Sequence, residues 1–344
     1  MVGALVVAGG EIVGRGWHRE VGGPHAEVFA LREAGARAQG ATLYVTLEPC
    51  AHHGRTPPCA EAVIAAGIAK VVACHADPNP KVSGQGFARL RQAGIEVEAG
   101  EEAAAAARLN YRFLTPWVAG RPAVTLKWAM SLDGRIATAA GESRWISSPA
   151  GRRWALELRE EHDAILVGVG TVLADDPLLN RRLGLAAGPN LRIVLDRGLR
   201  TPPALRLFTD PGPVLLYTED PSPAARRALE ERGATVVALP AVEPATVLAD
   251  LQQRGIQSVL VEGGGEVLGS FAAARAFDRV AVCTAPLLIG GKEAPGPLGG
   301  AGTPKLAQTP RLEAATVTRR GPDTITVGFR EGWGEEVART VREI

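Results

Sequence analysis

The chain has 344 residues, of which 46% are hydrophobic, and this is enough to bury the cores of two domains of ordinary size. Its 38 basic and 37 acidic side chains leave a formal net charge of +1, with no long block of one sign. This balance excludes the basic footprint of a nucleic-acid binder, so we expect small-molecule substrates. Four scattered cysteines are too few for a disulfide framework, and no apolar run is long enough for a membrane span. Because a basic leader is also absent, we expect a cytoplasmic protein.

The first third of the chain alternates strands and helices. The pattern predicts strands at 4–8, 11–17, 42–47, 71–74 and 95–98, and helices at 25–38, 59–66 and 87–93. Such alternation is typical of a layered α/β sheet. An alanine-rich helix is expected at 101–117, and the glycine and proline at 120–122 end it. We therefore expect a first domain over residues 1–119.

The strand and helix pattern begins again after this boundary. Strands are expected at 124–130, 164–167, 192–196, 214–217, 235–239, 258–261, 279–285, 314–318 and 324–329. Helices are expected at 148–161, 223–232 and 245–254, and others are expected to begin at 171 and 266. The pattern predicts a second α/β domain over residues 120–332, with about eight or nine strands. Residues 333–344 are expected to form a polar tail.

The most informative chemistry lies in two short segments, HAE at 25–27 and PCAHHGRTPPC at 49–59. An imidazole and two thiolates suit a tetrahedral zinc ion, and three protein ligands leave the fourth position open for water, as in catalytic zinc sites. We predict that His25, Cys50 and Cys59 bind zinc and that Glu27 carries protons, the layout of zinc-dependent base deaminases. His52 and His53 are expected to line the pocket rather than to bind the metal.

Two other segments leave alternatives open. The loop that contains Asn79 follows a strand end, where α/β proteins bind ligands, but it also reads as a proline-stiffened turn. The three glycines at 263–265 follow a strand and precede a helix, which suits a phosphate cradle. Their spacing differs from the dinucleotide fingerprint. The residues alone therefore predict a zinc deaminase joined to an α/β domain of unknown role.

Several segments together carry a resemblance to a known family. They are the zinc segment, DPNP at 77–80, KWAMSLDGR at 127–135, SRWI at 143–146, TVLADDP at 171–177 and VEGG at 261–264. In this order the chain resembles the bifunctional riboflavin-biosynthesis deaminase/reductases. The resemblance implies a cytidine-deaminase-like three-layer domain followed by a dihydrofolate-reductase-like domain, with Zn²⁺ and NADPH as cofactors. It also implies deamination of a diamino-ribosylamino-pyrimidinone 5'-phosphate and reduction of its ribosyl group to ribityl, in a homodimer or higher homo-oligomer formed through the second domain.

The resemblance also implies which residues form the second site. NADPH contacts fall on Ala129, Trp145, Thr171, Asp175, Arg197, Gly264, Gly265, Glu266, Val267, Leu268, Gly269 and Ser270. Substrate contacts fall on Ser143, Arg159, Leu179, Arg182 and Glu262. Arg159 and Arg182 suit a phosphate group, and Arg197 suits the 2'-phosphate of the cofactor. Either Lys127 or Asp175 could manage the proton as the sugar opens, and the sequence does not rank them.

The chain departs from the family at its beginning and leaves rival functions open. A helix and a Pro-Asn-Pro turn usually precede the Val-Gly that stands here at residues 2–3. Either the true start lies upstream, or the deaminase domain is impaired. For the chain as given we expect less than one zinc per protomer and weak deamination, which would leave mainly a reductase. A second alternative is a nucleoside-type deaminase with a regulatory domain. A third is a binding module in which the zinc is structural.

Overall fold

The computed structural model describes residues 2–20, 22–52, 57–79, 82–219 and 222–342. Two compact units divide the chain. Unit 1 contains Met1–Ala119 and Gly332–Ile344, and unit 2 contains Gly120–Glu331. No helix of the described residues combines the length and the apolarity needed to cross a bilayer.

Unit 1 contains a five-stranded sheet in the order β2-β1-β3-β4-β5. The strands are β1 (Gly3–Ala8), β2 (Glu11–Trp17), β3 (Thr42–Val45), β4 (Lys70–Ala73) and β5 (Glu96–Ala99). Strands β2, β1 and β3 are antiparallel, whereas β3, β4 and β5 are parallel. The helices that follow these strands are α1 (Ala26–Ala34), α2 (Cys59–Ala65), α3 (Gln85–Gln92), α4 (Ala103–Leu109) and α5 (Tyr111–Val118), and a 3-10 turn (Gly35–Ala38) extends α1.

Two glycines of β2 allow α1 to lie directly on the sheet. A Cβ at Gly14 would stand 2.1 Å from the carbonyl oxygen of Ala30, and one at Gly16 would stand 1.9 Å from that of Ala26. Any larger side chain at either position would push the helix away. The close approach fixes the beginning of α1, and with it the N-cap residue His25, beside the end of β2.

Unit 2 is built on a nine-stranded sheet in the order β10-β9-β8-β7-β11-β6-β12-β14-β13. Its strands are β6 (Ala123–Ser131), β7 (Ala164–Gly168), β8 (Leu191–Leu195), β9 (Val214–Thr218), β10 (Ala234–Ala238), β11 (Ser258–Val261), β12 (Arg279–Ala285), β13 (Leu312–Arg320) and β14 (Asp323–Arg330). All neighbours are parallel except β14, which is antiparallel to both β12 and β13. The mixed α/β class predicted from the sequence is confirmed.

The helices of unit 2 connect parallel strands. They are α6 (Pro149–Glu160), α7 (Val169–Asp175), α8 (Pro223–Glu230), α9 (Pro244–Gln253) and α10 (Gly265–Ala273). Because β7 pairs with β11, the turn into α7 and the turn into α10 leave the sheet side by side at its carboxyl edge. Open parallel sheets bind ligands at this edge.

Two expectations about helices were wrong. The single helix expected at 101–117 is divided at Asn110, whose φ of −106° and ψ of 18° fall outside the helical range. The expected polar tail contains helix α11 (Trp333–Arg342), which packs on α4 and α5. Its apolar residues Trp333, Val337 and Val341 recur every four positions and are all at most 3% exposed. A single apolar face on a short polar helix is therefore enough to dock it on unit 1.

Candidate active sites

Three side chains of unit 1 converge on one point. The Nδ1 atom of His25 lies 3.1 Å from Cys59 Sγ and 3.7 Å from Cys50 Sγ, and all three donor atoms lie within 4.8 Å of one another. His25 caps α1 and Cys59 begins α2, so both approach the point from helix N-termini. The backbone N–H of Cys59 donates to Cys50 Sγ at 3.3 Å, which fixes the second sulfur.

This donor set fits a zinc ion. With Zn–N and Zn–S bonds of about 2.0 and 2.3 Å, a tetrahedral site separates nitrogen and sulfur donors by roughly 3.5 Å. The two observed nitrogen–sulfur distances lie on either side of that value. A hydrogen bond from Cys59 lowers the pKa of Cys50 below its usual value, which favours the thiolate that a metal ion needs. Within the described residues, the group that could hold a metal contains His25, Cys50 and Cys59 but not the exposed His52, and His53 lies outside those residues.

Glu27 is placed to act beside this metal site. It lies in the first turn of α1 and is 3% exposed, yet its Oε2 atom has no hydrogen-bond partner among the described residues. Burial raises the pKa of this carboxyl group above its usual value. A buried carboxyl oxygen without a partner is costly unless a ligand completes its bonding. The geometry therefore suits a group that exchanges a proton with a bound molecule.

The loop that contains Asn79 is held by a second buried carboxylate, Glu48. Glu48 Oε2 accepts from the backbone N–H groups of Asp77 and Gly84, both at 3.0 Å. Its Oε1 accepts from Gly86 at 2.8 Å and Phe87 at 3.2 Å. The N–H of Asn79 itself donates to Asp77 Oδ1 at 2.8 Å. The loop is therefore fixed near the zinc segment, although Pro80 and Lys81 lie outside the described residues.

Unit 2 contains a cavity of about 610 Å³ at the carboxyl edge of its sheet. Ten of the residues expected to contact cofactor or substrate line it, and these are Lys127, Ala129, Ser143, Trp145, Arg159, Thr171, Asp175, Leu179, Arg182 and Glu262. The volume is in the usual range for small-molecule and cofactor sites. Residues that are up to 135 positions apart in the chain thus share one pocket.

The floor of the cavity carries a buried ion pair. Arg159 donates from Nε to Glu262 Oε1 at 2.9 Å and from Nη2 to Oε2 at 2.5 Å. The side chains are 12% and 6% exposed. Burial alone would raise the pKa of Glu262, but the charges of Arg159 and Lys127 outweigh it and hold this pKa at about 2. Glu262 is thus a permanent anion, and Arg159 has one side turned to the cavity.

Further cations line the same cavity. Burial and the neighbouring charges of Arg159 and Arg206 lower the pKa of Arg182, so three guanidinium groups lie close together. Such a cluster suits a phosphate, which pairs with guanidinium groups through charge-assisted hydrogen bonds. At another wall the exposed Trp145 ring has the guanidinium groups of Arg152 and Arg144 at 4.6 and 5.8 Å from its centroid.

The remaining expected cofactor residues lie outside the lining of this cavity. Gly264, Gly265, Glu266, Val267, Leu268, Gly269 and Ser270 form the beginning of α10. A Cβ at Gly263 would stand 2.9 Å from Thr171 Oγ1, so this glycine loop runs directly against the cavity wall. Free N–H groups at a helix start suit a pyrophosphate, which makes the loop fit a dinucleotide. Arg197 follows β8, and its 70% exposed side chain pairs with Glu219 at 3.2 Å.

The structure adds residues that sequence reasoning did not select. Arg144, Arg152 and Arg206 line the cavity, although only Arg144 stood inside a recognised segment. His18 packs edge to face on His25 with ring centroids 5.4 Å apart, and its buried Nδ1 has no partner among the described residues. Glu48, which holds the loop of Asn79, was also not selected. Solitary arginines and glutamates carry no local pattern, so no sequence signal distinguishes these residues from surface charges.

Each unit matches a known family model. The family model described as "Cytidine and deoxycytidylate deaminase zinc-binding region" matches residues 1–75, and the one described as "RibD C-terminal domain" matches residues 122–326. The riboflavin biosynthesis protein RibD of Synechocystis sp. is 43% identical over 331 residues, which cover 96% of this chain and 90% of that protein. The corresponding Escherichia coli protein is 43% identical over 341 residues, covering 94% and 91%.

Solved structures agree over nearly the whole chain. Acinetobacter baumannii RibD has a TM-score of 0.79 at 39% identity and covers 96% of this chain and 92% of its own. A diaminohydroxyphosphoribosylaminopyrimidine deaminase/5-amino-6-(5-phosphoribosylamino)uracil reductase from Thermotoga maritima has a TM-score of 0.78 at 35% identity, covering 96% and 91%.

Proposed function

Because the chain belongs to the RibD family of riboflavin-biosynthesis deaminase/reductases, we propose a definite division of labour between its two sites. Unit 1 deaminates diaminohydroxyphosphoribosylaminopyrimidine at the zinc site. Unit 2 reduces the resulting 5-amino-6-(5-phosphoribosylamino)uracil with NADPH, which converts its ribosyl group to ribityl. Both substrates are small pyrimidine phosphates, in agreement with the balanced charge of the chain.

In unit 1 the chain supplies three ligands and one proton carrier. His25, Cys50 and Cys59 would hold a zinc ion, which would supply Lewis acidity. Glu27 Oε2 is placed to take up a proton of the water that attacks the amidine carbon and to deliver it to the departing amino group, which leaves as ammonia. The low exposure of Glu27 keeps bulk water from this exchange. Asn79, in the loop fixed by Glu48, supports the pyrimidine through its amide.

In unit 2 the residues bind and orient, and NADPH supplies the hydride. Arg182, Arg206 and Arg159, whose Nη1 also donates to the Asn180 carbonyl at 3.5 Å, bind the substrate phosphate, and Ser143 and Leu179 complete that end of the cavity. Trp145, Ala129, Thr171 and Asp175 border the nicotinamide side, and the glycine loop before α10 receives the pyrophosphate. Lys127, next to the fixed charge of Glu262, is a candidate for the proton that the opening sugar requires, as is Asp175.

The observation that carries this proposal is that one chain holds both a possible zinc-ligand group and a cavity lined by the residues expected for the reductase. The buried Glu27 beside the donor set argues against a purely structural zinc, since a closed structural site needs no carboxyl oxygen that lacks a partner among the described residues, as Glu27 Oε2 does. The match of residues 122–326 to a reductase domain argues against a nucleoside-type deaminase with a regulatory domain.

The proposal is tested by two assays on the purified full chain. The diamino substrate should release ammonia, and the deaminated substrate should consume the nicotinamide absorbance of NADPH only when the substrate is present. Zinc content measured on the same sample tests the alternative of an impaired deaminase, which predicts less than one zinc per chain and weak ammonia release. No loss of the nicotinamide band with substrate would contradict the reductase assignment.

Two further parts of the proposal rest on the family resemblance. We infer a homodimer or higher homo-oligomer formed through unit 2, and light scattering of the purified chain at micromolar concentration tests this. We also place both reactions in the cytoplasm, in line with reduced cysteines at the metal site.

A further inference from the structure

Glu160 occupies a position that is electrostatically unfavourable by itself. It is the last residue of α6, and a carboxylate at a helix C-terminus opposes the helix dipole. The residue is nevertheless only 9% exposed. A buried anion at such a position requires strong compensation from its surroundings, so its hydrogen-bond partners reveal what it does.

The compensation comes from one loop. Glu160 Oε1 accepts from the backbone N–H groups of Arg182 at 3.1 Å and Leu183 at 2.9 Å. Its Oε2 accepts from those of Leu185 at 3.2 Å and Ala186 at 3.0 Å. Four N–H donors within five residues enclose one carboxylate, and hydrogen bonds to a charged acceptor are stronger than neutral ones. The loop at 182–186 is therefore fastened to the end of α6.

The beginning of the same loop is held by other contacts. Leu179 is 1% exposed and has a φ of +52°, a left-handed conformation that leucine rarely adopts. Asn190 stabilises it by donating from Nδ2 to the Leu179 carbonyl at 2.9 Å and by accepting from the Arg181 N–H at 2.9 Å. Arg181 donates from Nε to the Arg159 carbonyl at 3.2 Å. The backbone on either side of Arg182 is thus tied to the cavity wall.

We propose that Glu160 is a positioning residue that fixes the Arg182 guanidinium for the phosphate end of the reductase substrate. This inference rests on the proposed reductase function of unit 2. Two adjacent residues of α6 then contribute to one anion site. Arg159 lines the cavity directly, and Glu160 holds the loop that carries Arg182. When the loop is ordered in advance, binding does not have to supply that ordering free energy. Loss of Glu160 should therefore weaken substrate binding and leave the chemical step unchanged.

Three variants of the full chain test the proposal kinetically. In Glu160→Gln one acceptor oxygen becomes an amide donor that faces N–H groups, whereas Glu160→Asp keeps the charge but shortens the side chain. The matched control is Glu161→Gln, since the adjacent Glu161 pairs with Arg279 at 3.2 Å. We expect Glu160→Gln to raise KM for the phosphorylated substrate about tenfold, with kcat and the KM for NADPH unchanged. Glu160→Asp should fall between Glu160→Gln and wild type, and Glu161→Gln should match wild type.

The dephosphorylated substrate separates positioning from general damage. Its kcat/KM should be the same in wild type and Glu160→Gln, because only the phosphate end depends on Arg182. An equal loss of kcat/KM for both substrates and for NADPH would show that Glu160 has only a structural role, and this would overturn the proposal. An unchanged KM for the phosphorylated substrate would overturn it as well.

A binding measurement keeps this test independent of turnover. Ribose 5-phosphate, titrated calorimetrically into each variant, should bind about tenfold more weakly to Glu160→Gln than to Glu161→Gln. Hydrogen exchange should be faster at the amides of residues 182–186 in Glu160→Gln and unchanged in the strands of unit 2. If wild type fails to reduce the pyrimidine, the proposed function fails, and this titration still decides the role of Glu160. Equal affinities of the two variants would refute that role.

Discussion

Two buried glutamates, one in each unit, have opposite surroundings and opposite pKa shifts. Glu27 is 3% exposed and has an oxygen without a partner among the described residues, and burial raises its pKa. The Glu262 side chain is 6% exposed but pairs with Arg159 through both oxygens, and its pKa is about 2. Environments that push the pKa values of two carboxyl groups apart give them different tasks. Glu27 is suited to exchange a proton, whereas Glu262 is a fixed negative charge that orients cations and substrate.

The two sites also differ in how they are assembled. The proposed zinc site takes its side chains from residues 25–59. His25 and Glu27 lie at the start of α1, Cys59 begins α2, and Cys50 lies between β3 and α2. The cavity of unit 2 gathers side chains that are spread from 127 to 283. A compact metal site depends on a few close donors, but a cavity for a dinucleotide and a sugar phosphate needs walls from many elements. The comparison leads to three predictions, in order of decreasing expected effect.

Glu27→Gln should abolish most deamination. The amide cannot take up the proton, and loss of a general acid–base typically costs about 10³-fold in turnover. Ammonia release measures this effect, and the zinc content and NADPH oxidation should stay as in wild type. Glu33→Gln, an exposed change on the same helix, is the control and should keep full deaminase activity. If the Glu27→Gln variant still deaminated the substrate, another group would have to be the proton carrier.

Glu262→Gln should destabilise unit 2 at neutral pH but much less in acid. The folded-state pKa of Glu262 is about 2 against a usual 4.5, a difference equivalent to roughly 3 kcal/mol. Because this pKa is depressed, the stabilisation is fully present above pH 4.5 and is lost as the pH falls toward 2. Pulse proteolysis in urea, with unit 2 peptides quantified by mass spectrometry, measures the urea midpoint of unfolding. The midpoints of variant and wild type should differ greatly at pH 7 and little near pH 2.

The control for this experiment is Glu230→Gln, which removes an exposed pair with Arg226 on α8. Exposed pairs contribute about 0–1 kcal/mol, so its urea midpoint should stay near that of wild type at every pH. If the difference in urea midpoint between Glu262→Gln and wild type did not change with pH, the ion pair would not be the source of the stability.

Arg197→Ala should have the smallest effect. If Arg197 binds the 2'-phosphate, the preference of the reductase for NADPH over NADH should fall several-fold, up to about tenfold. The free energy of unfolding should change little, because the side chain is 70% exposed and its pair with Glu219 is a surface contact. Arg226→Ala, another exposed ion-pair partner, should leave the cofactor preference unchanged. An unaltered preference in Arg197→Ala would leave Arg197 as a surface residue only.

Much of the fold could be read from local patterns. The alternation of apolar strands with amphipathic helices predicted two α/β domains, and zinc ligands could be named because their spacing is itself a chemical signature. The break at Asn110 was missed because the alanine-rich sequence before it favours helix and a second helix begins directly after it. Helix α11 was missed because charged residues dominate its composition, although Trp333, Val337 and Val341 form an apolar stripe.

The sequence by itself predicted the group of His25, Cys50 and Cys59, the proposed proton carrier Glu27 and the order of strands and helices, because these depend on residue types at short spacing. Only the tertiary structure decided which arginines share a cavity, that the Glu262 carboxylate forms an ion pair with Arg159, and that Glu48 and Glu160 each accept four backbone N–H groups. The physical reason is that every non-proline residue has the same backbone donor. A carboxylate that binds backbone therefore leaves no mark on its partners in the sequence.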